Sequence, residues 1–150
     1  MTSFDDIQLE MNGAVAVIRL TRPAKRNALS DGLILALKHT FSNLPPETRA
    51  AVIDGEGEHF CAGLDLNEAA SGQGIGTGTT FAATLDLRNT PPTVLHALDK
   101  PVICALNGSA AGYGMDLALG CDIRIMADNA KLAAAFVKRG VLPESGGTWF

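Results

Sequence analysis

Two segments of the sequence combine a short apolar run, small residues and the start of a predicted helix. The first is HFCAGLDL at 59–66, and the second is NGSAAGYGMDLALGCD at 107–122. Each is expected to leave backbone N–H groups unpaired at a helix start, with little side-chain bulk around them. Two such groups that converge on one point form an oxyanion hole, which stabilises negative charge on a carbonyl oxygen. Taken alone, either segment is more often only a tight structural turn.

Two carboxylic acids lie in or beside glycine-rich sequence and are candidates for proton transfer. Asp116 follows the Gly-Tyr-Gly turn at 112–114, and Glu144 lies in LPESGG at 142–147. A carboxylate in a partly apolar site is a common general acid or base. Three roles stay open for Asp116: an acid/base group, a polar wall of a pocket, or a structural partner of the turn. Glu144 has the alternative of facing solvent or capping a following helix.

The elements that would position these residues alternate between strands and helices, which favours an α/β fold. Asn12-Gly13 predicts a hairpin turn between two strands. Ser30 or Asp31 is expected to cap a helix that ends before Pro45-Pro46. Pro91-Pro92 is expected to interrupt helical sequence, and the glycine-rich stretch 71–80 predicts a mobile loop over a pocket. The other strands are predicted at 14–20, 50–53, 101–106 and 122–126.

Composition limits the classes of function. The 150 residues are 47% hydrophobic and carry a net charge of −4, which is typical of one globular domain over 1–150 and argues against a nucleic-acid partner. No signal peptide and no membrane-length apolar run are recognised. The three histidines show no metal-ligand spacing, so no metal is expected. Three cysteines without a CxxC pair predict free buried thiols and a cytoplasmic location.

The two glycine-rich segments, taken in order with three others, resemble the crotonase (enoyl-CoA hydratase/isomerase) superfamily. The resemblance covers nearly the whole chain, and the combination of motifs is specific to that family. The matching segments are RPAKRNAL at 22–29, FCAGLDL at 60–66, KPVICA at 100–105, NGSA at 107–110, GYG at 112–114, CD at 121–122 and GVLPESGGT at 140–148.

The resemblance implies a crotonase-like ββα spiral (superhelix) core that ends before the family's C-terminal helical region. It also implies an acyl-CoA thioester as substrate, no further cofactor, and a homotrimer or dimer of trimers. The thioester carbonyl would lie between the backbone N–H groups of Leu64 and Tyr113. Lys25 and Arg26 would lie near the CoA phosphates, although they could equally be solvated loop cations. Further residues expected at the substrate are Ala62, Gly63, Asp65, Leu66, Gly112 and Phe136.

The sequence departs from the hydratase branch of the family at one of two catalytic positions. That branch uses two glutamates, and their positions are occupied here by Asp116 and Phe136. Phenylalanine cannot transfer protons. Glu144 has the Pro-Glu spacing of a group of enoyl-CoA isomerases, in which this glutamate is the base. The resemblance therefore favours Glu144 as the principal catalytic residue, with Asp116 as a second candidate.

The expected function is enoyl-CoA isomerisation or hydration in fatty-acid-type metabolism, with a thioester enolate held in the oxyanion hole. One alternative is another acyl-CoA reaction of the family, such as dehalogenation, hydrolysis or decarboxylation. The other is a non-catalytic member that binds acyl-CoA or a protein partner. Retention of both oxyanion segments and of Glu144 argues against the non-catalytic alternative.

Overall fold

The computed structural model describes residues 5–70, 90–140, 143 and 145–149. The glycine-rich stretch 71–80, predicted to be a mobile loop, lies outside the described residues. The strands are β1 Ile7–Asn12, β2 Val15–Leu20, β3 Ala50–Gly55, β4 His59–Cys61, β5 Val102–Leu106, β6 Ser109–Ala111, β7 Ile123–Met126 and β8 Leu132–Ala133. The helices are α1 Asp31–Ser42, α2 Leu66–Ala70, α3 Pro91–His96 and α4 Tyr113–Leu119, with 3₁₀ turns at Pro23–Lys25 and Val137–Arg139.

Within the described residues, the larger sheet has five strands in the order β1-β2-β3-β5-β7. β1 and β2 form the hairpin predicted from Asn12-Gly13, with Asn12 paired to Val15. The remaining neighbours are parallel, because a helix or a second strand intervenes between them along the chain. The predicted α/β class and the strands predicted for this sheet are confirmed.

A second sheet of three short parallel strands, β4-β6-β8, carries both candidate oxyanion segments. The sequence predicted a loop at 59–66 and a turn into a helix after Gly108, so β4 and β6 were missed. Each of these two strands has three residues. Three residues are too few to show the alternation of apolar and polar side chains that identifies a strand.

The helix boundaries follow from local capping chemistry. α1 begins after Ser30, whose hydroxyl accepts a hydrogen bond from the Leu33 N–H at 3.1 Å, as expected of a serine cap. α3 begins at Pro91-Pro92, because the first helical positions need no N–H partner and favour the fixed φ of proline. Residues 71–89 lie outside the described residues, so the interruption of helical sequence at these prolines stays a prediction.

The apolar core lies between the larger sheet and helices α1, α3 and α4. Its largest fully buried side chains include Phe41, Phe60 and Tyr113. The cysteines are free and buried, as predicted. In the described part of the chain, no helix is long and apolar enough to cross a membrane.

Gly108 allows two strands of the smaller sheet, β4 and β6, to lie close together at the start of β6. A Cβ atom on Gly108 would lie 2.0 Å from the Glu58 carbonyl oxygen, well inside van der Waals contact. That oxygen belongs to the backbone that leads into β4, so it cannot move away without shifting the strand. The close approach of β4 and β6 therefore requires glycine at this position.

We expect Gly108→Ala to lower the free energy of unfolding by about 1–3 kcal/mol, the usual cost of overpacking a rigid site. Gly32→Ala is the matched control. Gly32 lies in the first turn of α1, and the nearest side-chain atom of the described residues to an added Cβ is the Ser30 Oγ, at 3.9 Å. This control should be neutral or stabilising, because alanine favours helix. Urea denaturation measures both, and equal midpoints for the two variants would contradict the close approach.

Candidate active site

The loop at 62–65 is held to segment 26–29 by three backbone hydrogen bonds. The Ala62 N–H donates to the Arg26 carbonyl at 3.0 Å, and the Leu29 N–H donates to the Gly63 carbonyl at 2.8 Å. The Asp65 N–H donates back to the Leu29 carbonyl at 2.9 Å. This pattern is a parallel bridge between Leu29 and Leu64, in which the Leu64 N–H faces away from Leu29.

The second candidate segment turns sharply before α4. Gly112 has φ 52° and ψ −125°, a conformation that favours glycine. Its N–H donates to the Ala133 carbonyl, and its carbonyl accepts from Met115 and Asp116 in the first turn of α4. Tyr113 is the first residue of that helix, so its N–H belongs to the group at the helix start.

The two segments approach each other backbone to backbone. Gly63 has φ 93°, and a Cβ atom there would lie 2.7 Å from the Ala111 carbonyl oxygen and 3.6 Å from the Tyr113 nitrogen. A Cβ on Gly114 would lie 2.5 Å from the Cys61 carbonyl oxygen. The structure therefore brings the loop that carries Leu64 to the start of the helix that carries Tyr113.

Asn27 fixes segment 26–29, to which the loop at 62–65 is hydrogen-bonded. It is fully buried in a left-handed conformation, φ 53°, which asparagine tolerates better than most residues. Its Nδ2 donates to the carbonyls of Glu56 and His59 at 3.0 and 2.8 Å, and its Oδ1 accepts from the Arg22 N–H at 2.9 Å. The asparagine of the RPAKRNAL segment thus joins the 3₁₀ turn to β4.

The residues predicted at the substrate divide into exposed and buried groups. Lys25 ends the 3₁₀ turn and Arg26 follows it; both are exposed, and the Arg26 carbonyl accepts a hydrogen bond from the loop at Ala62. Ala62 is exposed on the loop, and Leu66, the first residue of α2, keeps 51% of its surface accessible. Asp65 is buried, and its carboxylate binds Arg22 and the Asn67 N–H.

Phe136 and Gly112 lie close together. Phe136 is buried, and its Cε1 lies 3.9 Å from the position of a Cβ on Gly112. An aromatic ring therefore covers the glycine turn at the place where hydratases of the family are expected to have their second glutamate. Glu144 lies outside the described residues, so its proposed role rests on the sequence.

Asp116 and Ser145 form a buried pair between α4 and segment 145–149. Both are fully buried, and the Ser145 hydroxyl donates to the Asp116 Oδ2. Gly147 packs so closely that a Cβ there would overlap the carboxylate. Burial raises the pKa of Asp116, while hydrogen bonds from Ser145 and the Gly147 backbone oppose that rise. The rings of His96, in α3, and Trp149, in the same segment, meet edge to face with centroids 4.6 Å apart.

Burial also changes the chemistry of Cys61, which lies beneath the loop. Removal from water raises the pKa of the Cys61 thiol to about 12, although a hydrogen bond from the Gly63 backbone lowers it. The thiol is therefore neutral at physiological pH and acts as a small packing group.

Sequence reasoning did not find the contacts that Arg22, Asn27 and Ser145 make in this site. Their partners lie far away along the chain: Asp65 for Arg22, the Glu56 and His59 carbonyls for Asn27, and Asp116 for Ser145. No local pattern signals such contacts. The one available clue was that all three residues lie inside recognised motifs.

Comparison with known proteins identifies the family and the fold of the chain. The model of the enoyl-CoA hydratase/isomerase family matches residues 10–150. Carnitinyl-CoA dehydratase of Escherichia coli K12 is 39% identical over 150 residues, which are 95% of this chain and 54% of that protein. The crystal structure of enoyl-CoA hydratase from Bacillus anthracis has a TM-score of 0.85 and 33% identity, covering 97% of this chain and 56% of the other. A Thermobifida fusca YX protein solved in complex with acetoacetyl-CoA has a TM-score of 0.84 and 33% identity, with coverages of 96% and 59%.

The chain belongs to the enoyl-CoA hydratase/isomerase family and has the crotonase fold. It spans about half the length of the curated relatives it matches.

The raised pKa of Asp116 predicts a pH-dependent stability difference between the protein and Asp116→Asn. A folded-state pKa above the ordinary 3.8 means that the folded state holds the proton more tightly than the unfolded state does. The contribution of Asp116 to the free energy of unfolding therefore falls as pH rises from its unfolded-state pKa through its folded-state pKa. Asparagine keeps an acceptor for Ser145 but does not titrate. Asp116→Asn should gain stability relative to the unaltered protein as pH rises above about 4.

Thermal or urea unfolding at several pH values measures this difference. Asp99→Asn is the matched control, since the Asp99 side chain is 89% exposed. A stability difference for Asp116→Asn that is constant, or that falls as pH rises, would contradict the effect of burial.

Proposed function

We propose that the full-length protein is an acyl-CoA enzyme that forms the enolate of a CoA thioester and holds it between the Leu64 and Tyr113 N–H groups. The observation that carries this proposal is the contact of the two backbone segments at Gly63, which places the Tyr113 nitrogen 3.6 Å from a Cβ position on Gly63. Leu64 is the next residue, and its N–H has no hydrogen-bond partner among the described residues. Two donors on rigid backbone are suited to a developing oxyanion, because they need no reorganisation during the reaction.

The surroundings of the loop support a site for the CoA thioester. Lys25 and Arg26 are exposed cations beside it and are proposed to contact CoA phosphates. Ala62, Gly63 and Leu66 would contribute small or apolar surface along the ligand. Gly112 and Phe136 would form the wall of the pocket near the thioester. Asp65 would support the loop from its buried side.

We propose Glu144 as the base and isomerisation as the reaction. Glu144 would remove a proton from the carbon α to the thioester, and the C–H electron pair would pass into the carbonyl to give a dienolate. The same residue would return the proton at the γ carbon, so that the double bond moves without net change of atoms. One base is sufficient, which agrees with phenylalanine at position 136.

Hydration is the second candidate, because the relatives include an enoyl-CoA hydratase and carnitinyl-CoA dehydratase. It needs two acid/base groups, which would be Asp116 and Glu144. Asp116 is fully buried and bound to Ser145, and these contacts favour the one-base reaction. A homotrimer or dimer of trimers and a cytoplasmic location are further parts of the proposal.

We expect Glu144→Gln to lower turnover of a 3-enoyl-CoA to its 2-enoyl isomer by about 10²–10⁴-fold, the usual effect of losing a positioned base. Affinity for CoA should change little, since the oxyanion donors are untouched. Glu47→Gln, which alters an exposed glutamate after α1, is the matched control. Asp116→Asn should cost less than Glu144→Gln if isomerisation is the reaction and as much if hydration is.

Absorbance assays of the full-length protein with 2-enoyl-CoA and with 3-enoyl-CoA measure isomerisation. Detection of 3-hydroxyacyl-CoA in the same reactions measures hydration. Full activity in Glu144→Gln would end the assignment of the base. Formation of 3-hydroxyacyl-CoA at a rate equal to or above isomerisation would replace isomerisation with hydration.

A further inference from the structure

Arg22 lies at the centre of a buried polar contact beneath the loop at 62–65. Its Nη1 donates to the Ala28 carbonyl at 2.6 Å, its Nη2 contacts the Asp65 Oδ2 at 3.2 Å, and its Nε lies 3.2 Å from the Asp6 Oδ2. The Arg22 side chain keeps 15% of its surface accessible and Asp65 keeps 8%. The planar guanidinium thus binds three acceptors in fixed directions, which lysine cannot do.

Both oxygens of the Asp65 carboxylate are engaged within the protein. Oδ2 accepts from Arg22, and Oδ1 accepts from the Asn67 N–H at 3.1 Å in the first turn of α2. A carboxylate used in this way holds its own backbone in place and does not face a ligand. Because the pair is nearly buried, solvent and salt screen it less than a surface pair.

The loop between these contacts is fixed on both sides of one residue. Segment 26–29 binds Ala62 and Gly63 before Leu64, and it binds Asp65 after it. Arg22 ties the Ala28 carbonyl of that same segment to the Asp65 carboxylate. A shift of Asp65 would therefore carry the Leu64 N–H with it, since one peptide bond separates them.

We propose that Arg22 and Asp65 are a positioning pair that fixes the direction of the Leu64 N–H in the oxyanion hole. The inference rests on the proposed function and adds to it the residues that hold one of its two donors. Neither side chain needs to contact the reacting atoms. Misplacing such a donor by about 1 Å can lower a rate by roughly 10²-fold, because the charge develops at one point.

The test uses Asp65→Asn in the full-length protein, because asparagine keeps the volume and the acceptor for Asn67 but loses the charge. Asp54→Asn is the matched control. It removes another Arg–Asp pair, formed with Arg19 between β2 and β3 and away from the loop. The probe is butyryl-CoA labelled with ¹³C at the thioester carbonyl, and infrared difference spectroscopy measures the carbonyl stretching frequency in the bound state.

In the unaltered protein, hydrogen bonds from the two N–H groups should lower this frequency on binding. Asp65→Asn should lose a large part of that shift and about 10–100-fold in kcat, with less than about a threefold change in the Kd of butyryl-CoA. Asp54→Asn should keep both the shift and kcat. A full shift in Asp65→Asn would overturn the positioning role and leave the oxyanion hole intact.

No shift in the unaltered protein would overturn the proposed oxyanion hole and this inference with it. If Asp65→Asn does not fold, Arg22→Lys replaces it, since lysine keeps the charge but cannot bind the three acceptors together. Arg22→Lys should show the same loss of shift, and an unchanged shift there would equally overturn the proposal.

Discussion

The site depends on the contact between two pieces of backbone that have no side chain between them. Gly63 lies against the Ala111 carbonyl and the Tyr113 nitrogen, and Gly114 lies against the Cys61 carbonyl. Any Cβ at either glycine would overlap a backbone atom of the other segment. The remaining features of this region, from the short strands β4 and β6 to the turn at Gly112, serve to bring the two segments to this distance. In the proposed function, main-chain N–H groups stabilise the oxyanion, so the side chains around them are free to differ between reactions.

Buried polar contacts hold each of the two segments from outside. Asn27 joins the 3₁₀ turn to β4, and Arg22 joins segment 26–29 to Asp65. On the other side, Asp116 binds Ser145 from within α4, so that the helix beginning at Tyr113 is tied to segment 145–149. Each contact is buried and therefore costly to break, since an unpaired buried polar group is destabilising.

Local sequence predicted the larger sheet, the hairpin at Asn12-Gly13 and the cap at Ser30, because apolar patterns and turn chemistry act over a few residues. It failed at β4, β6 and β8, which are too short to show a period. The family motifs located both candidate oxyanion segments. They did not reveal the Arg22–Asp65 and Asp116–Ser145 pairs, because those contacts join residues 43 and 29 positions apart. The direction of a side chain across such a separation depends on tertiary packing.

The central claim is that the Leu64 and Tyr113 N–H groups share one ligand oxygen. The most direct test is a crystal structure of the full-length protein with a saturated acyl-CoA, refined so that the thioester carbonyl is visible. The account predicts that the carbonyl oxygen lies about 2.7–3.1 Å from both nitrogens, with the CoA phosphates on the side of Lys25 and Arg26. An acyl-CoA bound with its thioester away from Gly63, or an oxygen that reaches only one of the two nitrogens, would contradict it.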